Sequence, residues 1–271
     1  MRKWFLIFSV TIGFMASQLH AELVFSAPPR ESAANAETLY GPLVESLSKL
    51  LDEKVVFKRA NNFITYSAEM RKDKYDIVFD GPHFAAWRVE HLNHEVAAKL
   101  PGKLDFHIVT TNPEFKTLKD LVGRKVCALT SPNLGTVAFL ELYKKNPVAG
   151  PKLAGSRGGF AGVTKDILNG RCEIGILRTQ FYNKKLSDEQ RSKLRIIHTT
   201  KPLPSQAVTL SPRVSKYNKA LIRKALTSED GAASAAPIFK RFSKKSKHFK
   251  PTTGEEFSYL NLLLEGVVWG W

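Results

Sequence analysis

The stretch Tyr75-Asp-Ile-Val-Phe-Asp-Gly-Pro-His-Phe84 decides the fold. Tyr75–Phe79 is nearly all apolar, as a strand covered on both faces should be. It ends in Asp80-Gly81-Pro82-His83, and Phe84–His91 then reads as a helix. Upstream, Leu23–Ala27 is a short apolar strand that runs into the turn Pro28-Pro29-Arg30-Glu31-Ser32. Leu39, Leu43, Leu47, Leu50 and Leu51 follow at helical spacing on one face. Val55–Phe57 reads as a second strand and Phe63–Arg71 as a second helix. The order strand, helix, strand, helix, strand implies a parallel sheet with helices on both faces.

The rhythm then repeats. Val126–Leu129 is a strand, followed by the loop Thr130-Ser131-Pro132-Asn133-Leu134-Gly135 and a helix over Thr136–Lys144. The Gly-rich segment Gly155-Ser156-Arg157-Gly158-Gly159 leads into a helix over Phe160–Leu168, and Glu173–Leu177 and Leu194–Ile197 read as strands. The expectation is an α/β protein of two similar lobes. The tail departs from the rhythm, with helices expected over Lys216–Leu226, Ala236–Phe242 and Glu255–Val268. A tail that packs back on the first lobe makes Phe106–Thr111 and Ala207–Ser211 the two crossings of a hinge. The expected division is residues 22–107 plus 209–271 for lobe 1 and 108–208 for lobe 2.

Residues 1–21 have the grammar of a secretory signal peptide. Arg2 and Lys3 precede an apolar run from Trp4 to Met15, and Ala21 offers a cleavage site. The run is shorter than the ~20 residues a membrane span needs. The mature chain is therefore expected to start near Glu22, in the periplasm.

The chain holds 41 Lys and Arg against 25 Asp and Glu, and loss of Arg2 and Lys3 with the signal leaves a net charge of +14. The excess is uneven: −2 over 22–107, +10 over 108–208 and +6 over 209–271. A basic middle segment attracts anions. No nucleic-acid motif appears, and the Lys240–Lys250 run reads as a solvated helix end and loop. Of the two cysteines, Cys127 and Cys172, export permits a disulfide, while two buried thiols remain the alternative. His91 and His94 are spaced for one helix face, but the expected helix end there reads as a solvated terminus, so no metal site is assigned. No Walker A sequence, convincing dinucleotide fingerprint or G-x-S-x-G elbow occurs. No cofactor and no catalytic residue are assigned.

In open α/β sheets ligands bind beyond the carboxyl ends of the strands. Four loops hold that position: Pro28–Ser32, Asp80–His83, Ser131–Thr136 and Arg157–Phe160. The loops at Asp80, Ser131 and Gly158 each open a helix, whose free N–H groups and positive dipole end favour an anion. Ser131 and Thr136 add hydroxyl donors, and Gly158 and Gly159 let backbone approach a ligand. Simple capping and turning is the competing account of these residues.

Several runs carry a family resemblance: LVFSAPPRES, LYGPLVESLSKLL, YDIVFDGPHFAAW, TLKDLVGRKVCALTSPNLGT, GGFAGVTKDILNGRCEIGIL and LPSQAVTLSP. In order and spacing the chain resembles the periplasmic phosphate/phosphite/phosphonate-binding proteins of ABC importers. The resemblance implies the type II periplasmic-binding fold, with an anion in a central cleft between the lobes. It puts Tyr40 and His83 at the ligand from the first lobe, and Ser131, Asn133, Thr136 and Arg178 from the second; Asp80, in the strand-end loop with His83, is counted with the ligand-binding candidates by its position. It implies a monomer with no enzymatic activity that hands a small oxyanion to an inner-membrane permease. Two departures stand out. Pro132 and Leu134 replace part of the family's run of small hydroxyl residues, and Phe160 stands where phosphonate binders carry His. A sensory binding protein for a membrane kinase or receptor shares the fold and is the alternative. An exported enzyme using Asp80 and His83 as acid and base is the third.

Overall fold

The computed structural model describes residues 22–146, 148, 150–243 and 246–266. The expected signal peptide lies outside the described residues. In chain order the first part runs β1 (Leu23–Ser26), α1 (Ala33–Leu51), β2 (Val55–Phe57), α2 (Phe63–Arg71), β3 (Ile77–Asp80), α3 (Pro82–Leu92) and β4 (Glu95–Lys99). Then come β5 (Lys103–Leu104), β6 (Phe106–Thr110), β7 (Lys125–Ala128), α4 (Leu134–Glu141), β8 (Lys152–Gly155), α5 (Gly159–Leu168) and β9 (Ile174–Arg178). The rest is α6 (Thr179–Lys185), α7 (Asp188–Ser192), β10 (Arg195–Thr199), β11 (Leu203–Pro204), β12 (Ala207–Leu210), α8 (Lys216–Thr227), α9 (Glu229–Ser234) and α10 (Ala236–Phe242).

Two five-stranded sheets form, in the orders β2-β1-β3-β12-β4 and β10-β6-β9-β7-β8. In each, one strand from across the chain runs antiparallel in the middle: β12 between β3 and β4, and β6 between β9 and β10. A two-stranded ladder, Leu203 with Leu104 and Pro204 with Lys103, lies where the chain passes between the sheets. The segments read as crossings, Phe106–Thr111 and Ala207–Ser211, are thus sheet strands with their crossings just ahead of them. Their register explains the difference. Phe106–Thr110 and Ala207–Leu210 are buried throughout, which suits an interior strand and not an exposed linker. The positions 107 and 208 at which the lobes were divided fall inside β6 and β12.

The deciding stretch sits at the centre. Ile77, Val78, Phe79 and Asp80 are all fully buried. Alternate side chains of a strand leave by opposite faces. Ile77 and Phe79 accordingly join the core under α1, with Leu43 and Leu47, while Val78 joins Tyr66, Met70 and Phe84 on the other side. Helix α1 begins where the Ser32 hydroxyl accepts the Asn35 N–H at 3.3 Å and ends at Asp52, which turns left-handed at φ 50°. The second sheet alternates likewise: Ile174 and Ile176 face one core, Leu177 the other, with Val109 and Cys127. In that second core Cys127 and Cys172 form a disulfide, Cα atoms 5.7 Å apart.

Three parts of the sequence reading are corrected. Glu255–Val268 is not one helix. Residues Glu255–Phe257 and Leu260–Leu263 form two short 3₁₀ turns, separated by Tyr259 at φ 65°, and Val267 and Val268 lie outside the described residues. Their apolar residues go to different cores, so one helical face would not serve them: Leu263 packs in the second lobe, Leu264 with Tyr66 and Phe84 in the first. The Lys240–Lys250 run is not merely solvated, because Phe249 is fully buried and Lys250 pairs with the end of β4 at Lys99. The sequence reading assigns no strand over Glu95–Lys99 or Lys152–Gly155, where the structure has β4 and β8. Among the described residues no helix is long and apolar enough to cross a membrane.

Candidate functional site

The two lobes touch at His83. Its Nε2 lies 2.9 Å from the carbonyl oxygen of Pro132, in the loop between β7 and α4. His83 belongs to the first turn of α3, which opens at Gly81 with no side-chain cap and has Pro82 at its start. Pro82 loses nothing there, because the first N–H of a helix has no intrahelical partner. The ring is 1 % exposed, and burial pulls its pKa down to about 4, against the pull of Asp80 upward. His83 is therefore neutral at neutral pH. Its second nitrogen, Nδ1, is buried with no hydrogen-bond partner.

Tyr40, on the buried face of α1, has the same character. It is 1 % exposed and its hydroxyl has no partner. Burial pushes the phenol well above its ordinary pKa, so it stays a donor, and the charges acting on it are Arg30, Glu31, Asp80 and Arg241. An unmatched buried hydroxyl is costly unless something comes to meet it.

Asp80 is fully buried, and both its oxygens are engaged. Oδ2 accepts from Arg88 at 2.7 Å and from the Tyr66 hydroxyl. Oδ1 accepts the Gly81 N–H at 2.5 Å and lies 3.6 Å from Arg30 Nη2. Asp80 thus fixes its neighbours and has little left to offer a ligand. The sequence reading missed Arg30, Tyr66 and Arg88. Arg30 was within reach, since it stands in a loop marked for its place at a strand end. That loop is pinned from both sides: Arg59 donates to the Glu31 carbonyl at 2.9 Å and Arg241 Nε to the Glu31 carboxylate at 2.8 Å. Arg88 could have been found as the one charge on the buried face of α3.

From the second lobe, Arg178 ends β9 and is half-buried. Burial lowers its pKa, with Asp105 pulling up and Arg241 pushing down, and no hydrogen bond or ion pair holds its guanidinium among the described residues. The Arg241 that acts on it comes from α10 of the first lobe. The loop at Ser131 is more self-contained. Ser131 is half-buried and joined to Pro132 by a cis peptide. Asn133 spends its side-chain oxygen on the Gly135 N–H at 3.0 Å, and Thr136 Oγ1 donates to the Leu129 carbonyl. The Phe106 ring lies so close over Gly135 that a Cβ there would come within 2.6 Å of it. Gly158 and Gly159 are exposed at the start of α5 with φ of 82° and 70°, a turn that side chains disfavour. His91 and His94 part company: His94 turns inward to Asp73 at 3.1 Å, while His91 stays outside, 3.6 Å from Glu265.

The comparisons with known proteins agree with this architecture. Residues 25–257 match the family model described as ABC transporter, phosphonate, periplasmic substrate-binding protein, and the chain belongs to that family. A Xanthomonas citri protein solved with chloride bound is similar, with a TM-score of 0.72 at 16 % identity over 90 % of this chain and 97 % of that one. PhnD1 of Prochlorococcus marinus in complex with methylphosphonate gives 0.65 at 17 % identity, over 89 % and 96 %. A binding component of a Pseudomonas aeruginosa phosphonate transporter gives 0.60 at 15 %, over 88 % and 83 %. At such identities the likeness speaks for the fold, the two-lobed type II periplasmic-binding architecture. No curated protein sequence matches the chain.

Proposed function

We propose that this protein captures a small phosphorus oxyanion between its two lobes in the periplasm and delivers it to an inner-membrane ABC permease. The anion would be a phosphonate, phosphite or phosphate-like species, and no bond is made or broken. The observation that carries this reading is a pair of buried, unpartnered polar atoms: His83 Nδ1, on the ring that meets the second lobe at Pro132, and Tyr40 Oη, in the first lobe under the influence of Arg30 and Asp80. Arg30 Nη2 lies on the same side of Gly81 as His83 Nδ1, and Arg178 would supply, from the opposite lobe, a cation that is unpaired among the described residues. Asp80 would act through Arg30, which it holds at 3.6 Å, rather than touch the anion. Asn133, Ser131, Gly158 and Gly159 would complete the second-lobe wall. The β5–β11 ladder is the natural pivot for lobes that open and close as rigid bodies. The mature monomer, freed of residues 1–21, would be the working form.

Calorimetric titration of the mature protein with phosphate, phosphite, methylphosphonate, 2-aminoethylphosphonate, sulfate and nitrate tests the reading. Saturable binding of at least one phosphorus oxyanion is expected, weakened tenfold or more in Arg178→Met and in Tyr40→Phe. Absence of binding across the panel would overturn it.

A further inference from the structure

The tautomer of His83 is fixed by its one partner. The Pro132 carbonyl can only accept, so the nitrogen 2.9 Å from it, Nε2, carries the hydrogen. The neutral ring then leaves Nδ1 as a bare lone pair. That lone pair is buried and unmet. Its surroundings say what it awaits. An ideal Cβ on Gly81 would lie 3.1 Å from Nδ1 and 3.4 Å from Arg30 Nη2, so the ring edge and the guanidinium face the same side of the α3 N-terminus. The other charged groups around the ring are Asp80 from β3 and Arg88 from α3 itself. Asp80 is saturated by Tyr66, Arg88, Gly81 and Arg30, so it supplies no acceptor here. Tyr40 offers a donor. The corner therefore holds donors, a positive charge and one acceptor.

We infer that His83 Nδ1 is reserved for a hydroxyl of the bound oxyanion, so that the site selects a phosphorus oxyanion in its singly protonated form while Arg30 takes a charged oxygen. This rests on the proposed function and adds the protonation state to it. A hydrogen phosphonate presents one O–H and two oxygens that share a single negative charge, which match one acceptor and several donors. A sulfonate has the same shape and the same single charge but no hydrogen. Its oxygen would face the Nδ1 lone pair with nothing between them, and a site built around a ligand hydroxyl rejects the analogue that lacks it.

The test is a matched pair of ligands, methylphosphonate and methanesulfonate, titrated into the wild-type protein near neutral pH. Methylphosphonate should bind at least about a hundredfold more tightly. Its affinity should fall as the pH rises through its second ionisation. In His83→Phe the preference over methanesulfonate should collapse. Equal affinities in the wild type, or affinity that rises as the ligand loses its last proton, would overturn the inference and leave the oxyanion reading standing. A preference undiminished in His83→Phe would also overturn it. No binding of methylphosphonate while phosphate or phosphite still binds would overturn the inference and leave the oxyanion reading standing; no binding across the whole oxyanion panel would remove both.

Discussion

His83 Nε2 meets the Pro132 carbonyl at 2.9 Å across a separation of 49 residues, and this contact joins the two lobes through a buried neutral imidazole. Neutrality has a cost at low pH. Burial lowers the pKa of both His83 and His94 from 6.5 to about 4. In the unfolded chain each takes up a proton near 6.5, while the folded protein resists until about 4. Over that window the unfolded state binds more protons, so stability is fully present above it and drains away as pH falls through it. His83 alone accounts for on the order of 3 kcal/mol. Urea unfolding across this pH range should show the loss, and His83→Phe should shallow the slope. An unchanged slope in the variant would count against a buried neutral His83.

The Asp80–Arg88 pair makes a second claim. Both side chains are at most 1 % exposed and joined at 2.7 Å. Removing one member of such a pair strands a buried charge, which costs about 3–5 kcal/mol. Asp80→Ala should therefore lose that much stability in urea unfolding. It should also weaken anion binding, because Arg30 loses its anchor. Replacement of both Asp80 and Arg88 by apolar residues should destabilise less than Asp80→Ala alone.

The disulfide closes a loop between residues 45 apart in sequence. Loop-closure entropy for that length gives about 4 kcal/mol. The double variant Cys127→Ala, Cys172→Ala should lose a similar amount. A reducing agent should leave the native wild type intact, since both cysteines are buried. Unfolding midpoints with and without reductant check both statements.

What could be read in the sequence follows from where the signal is local. The run Ile77–Phe79 is buried on both faces, and its apolar character alone reports that. The pairing of β12 with β3 and β4 is set by residues more than a hundred positions apart, so Ala207–Leu210 resembles a linker until its partners are known. The site divides in the same way. Tyr40 and His83 stand at a helix face and a helix start, which pattern and resemblance together reach. The engagement of Asp80 with Tyr66 and Arg88 depends on α2 and α3 packing on one side of β3, and no spacing rule announces it. Thr136 has the residue type of a ligand donor, yet its hydroxyl serves the Leu129 carbonyl, a choice made by the fold of the loop.

The chain after β12 ties the lobes a third time. Leu263 is buried against Val137 and Phe139 of the second lobe, and Leu264, one residue on, against Tyr66 and Phe84 of the first. Lys145 donates to the Glu265 carbonyl at 2.5 Å and to that of Leu262, closing the turn from the α4 side. Truncating a buried leucine leaves a cavity that costs about 2–5 kcal/mol, whereas an exposed polar contact is worth about 1 kcal/mol or less. Leu263→Ala and Leu264→Ala should each destabilise in that larger range and Lys145→Ala in the smaller. Leu263→Ala should in addition speed ligand release, since it removes packing that holds the second lobe to the strap, and stopped-flow dissociation would measure it. A release rate equal to that of the wild type would mean that the strap moves with one lobe and does not resist opening.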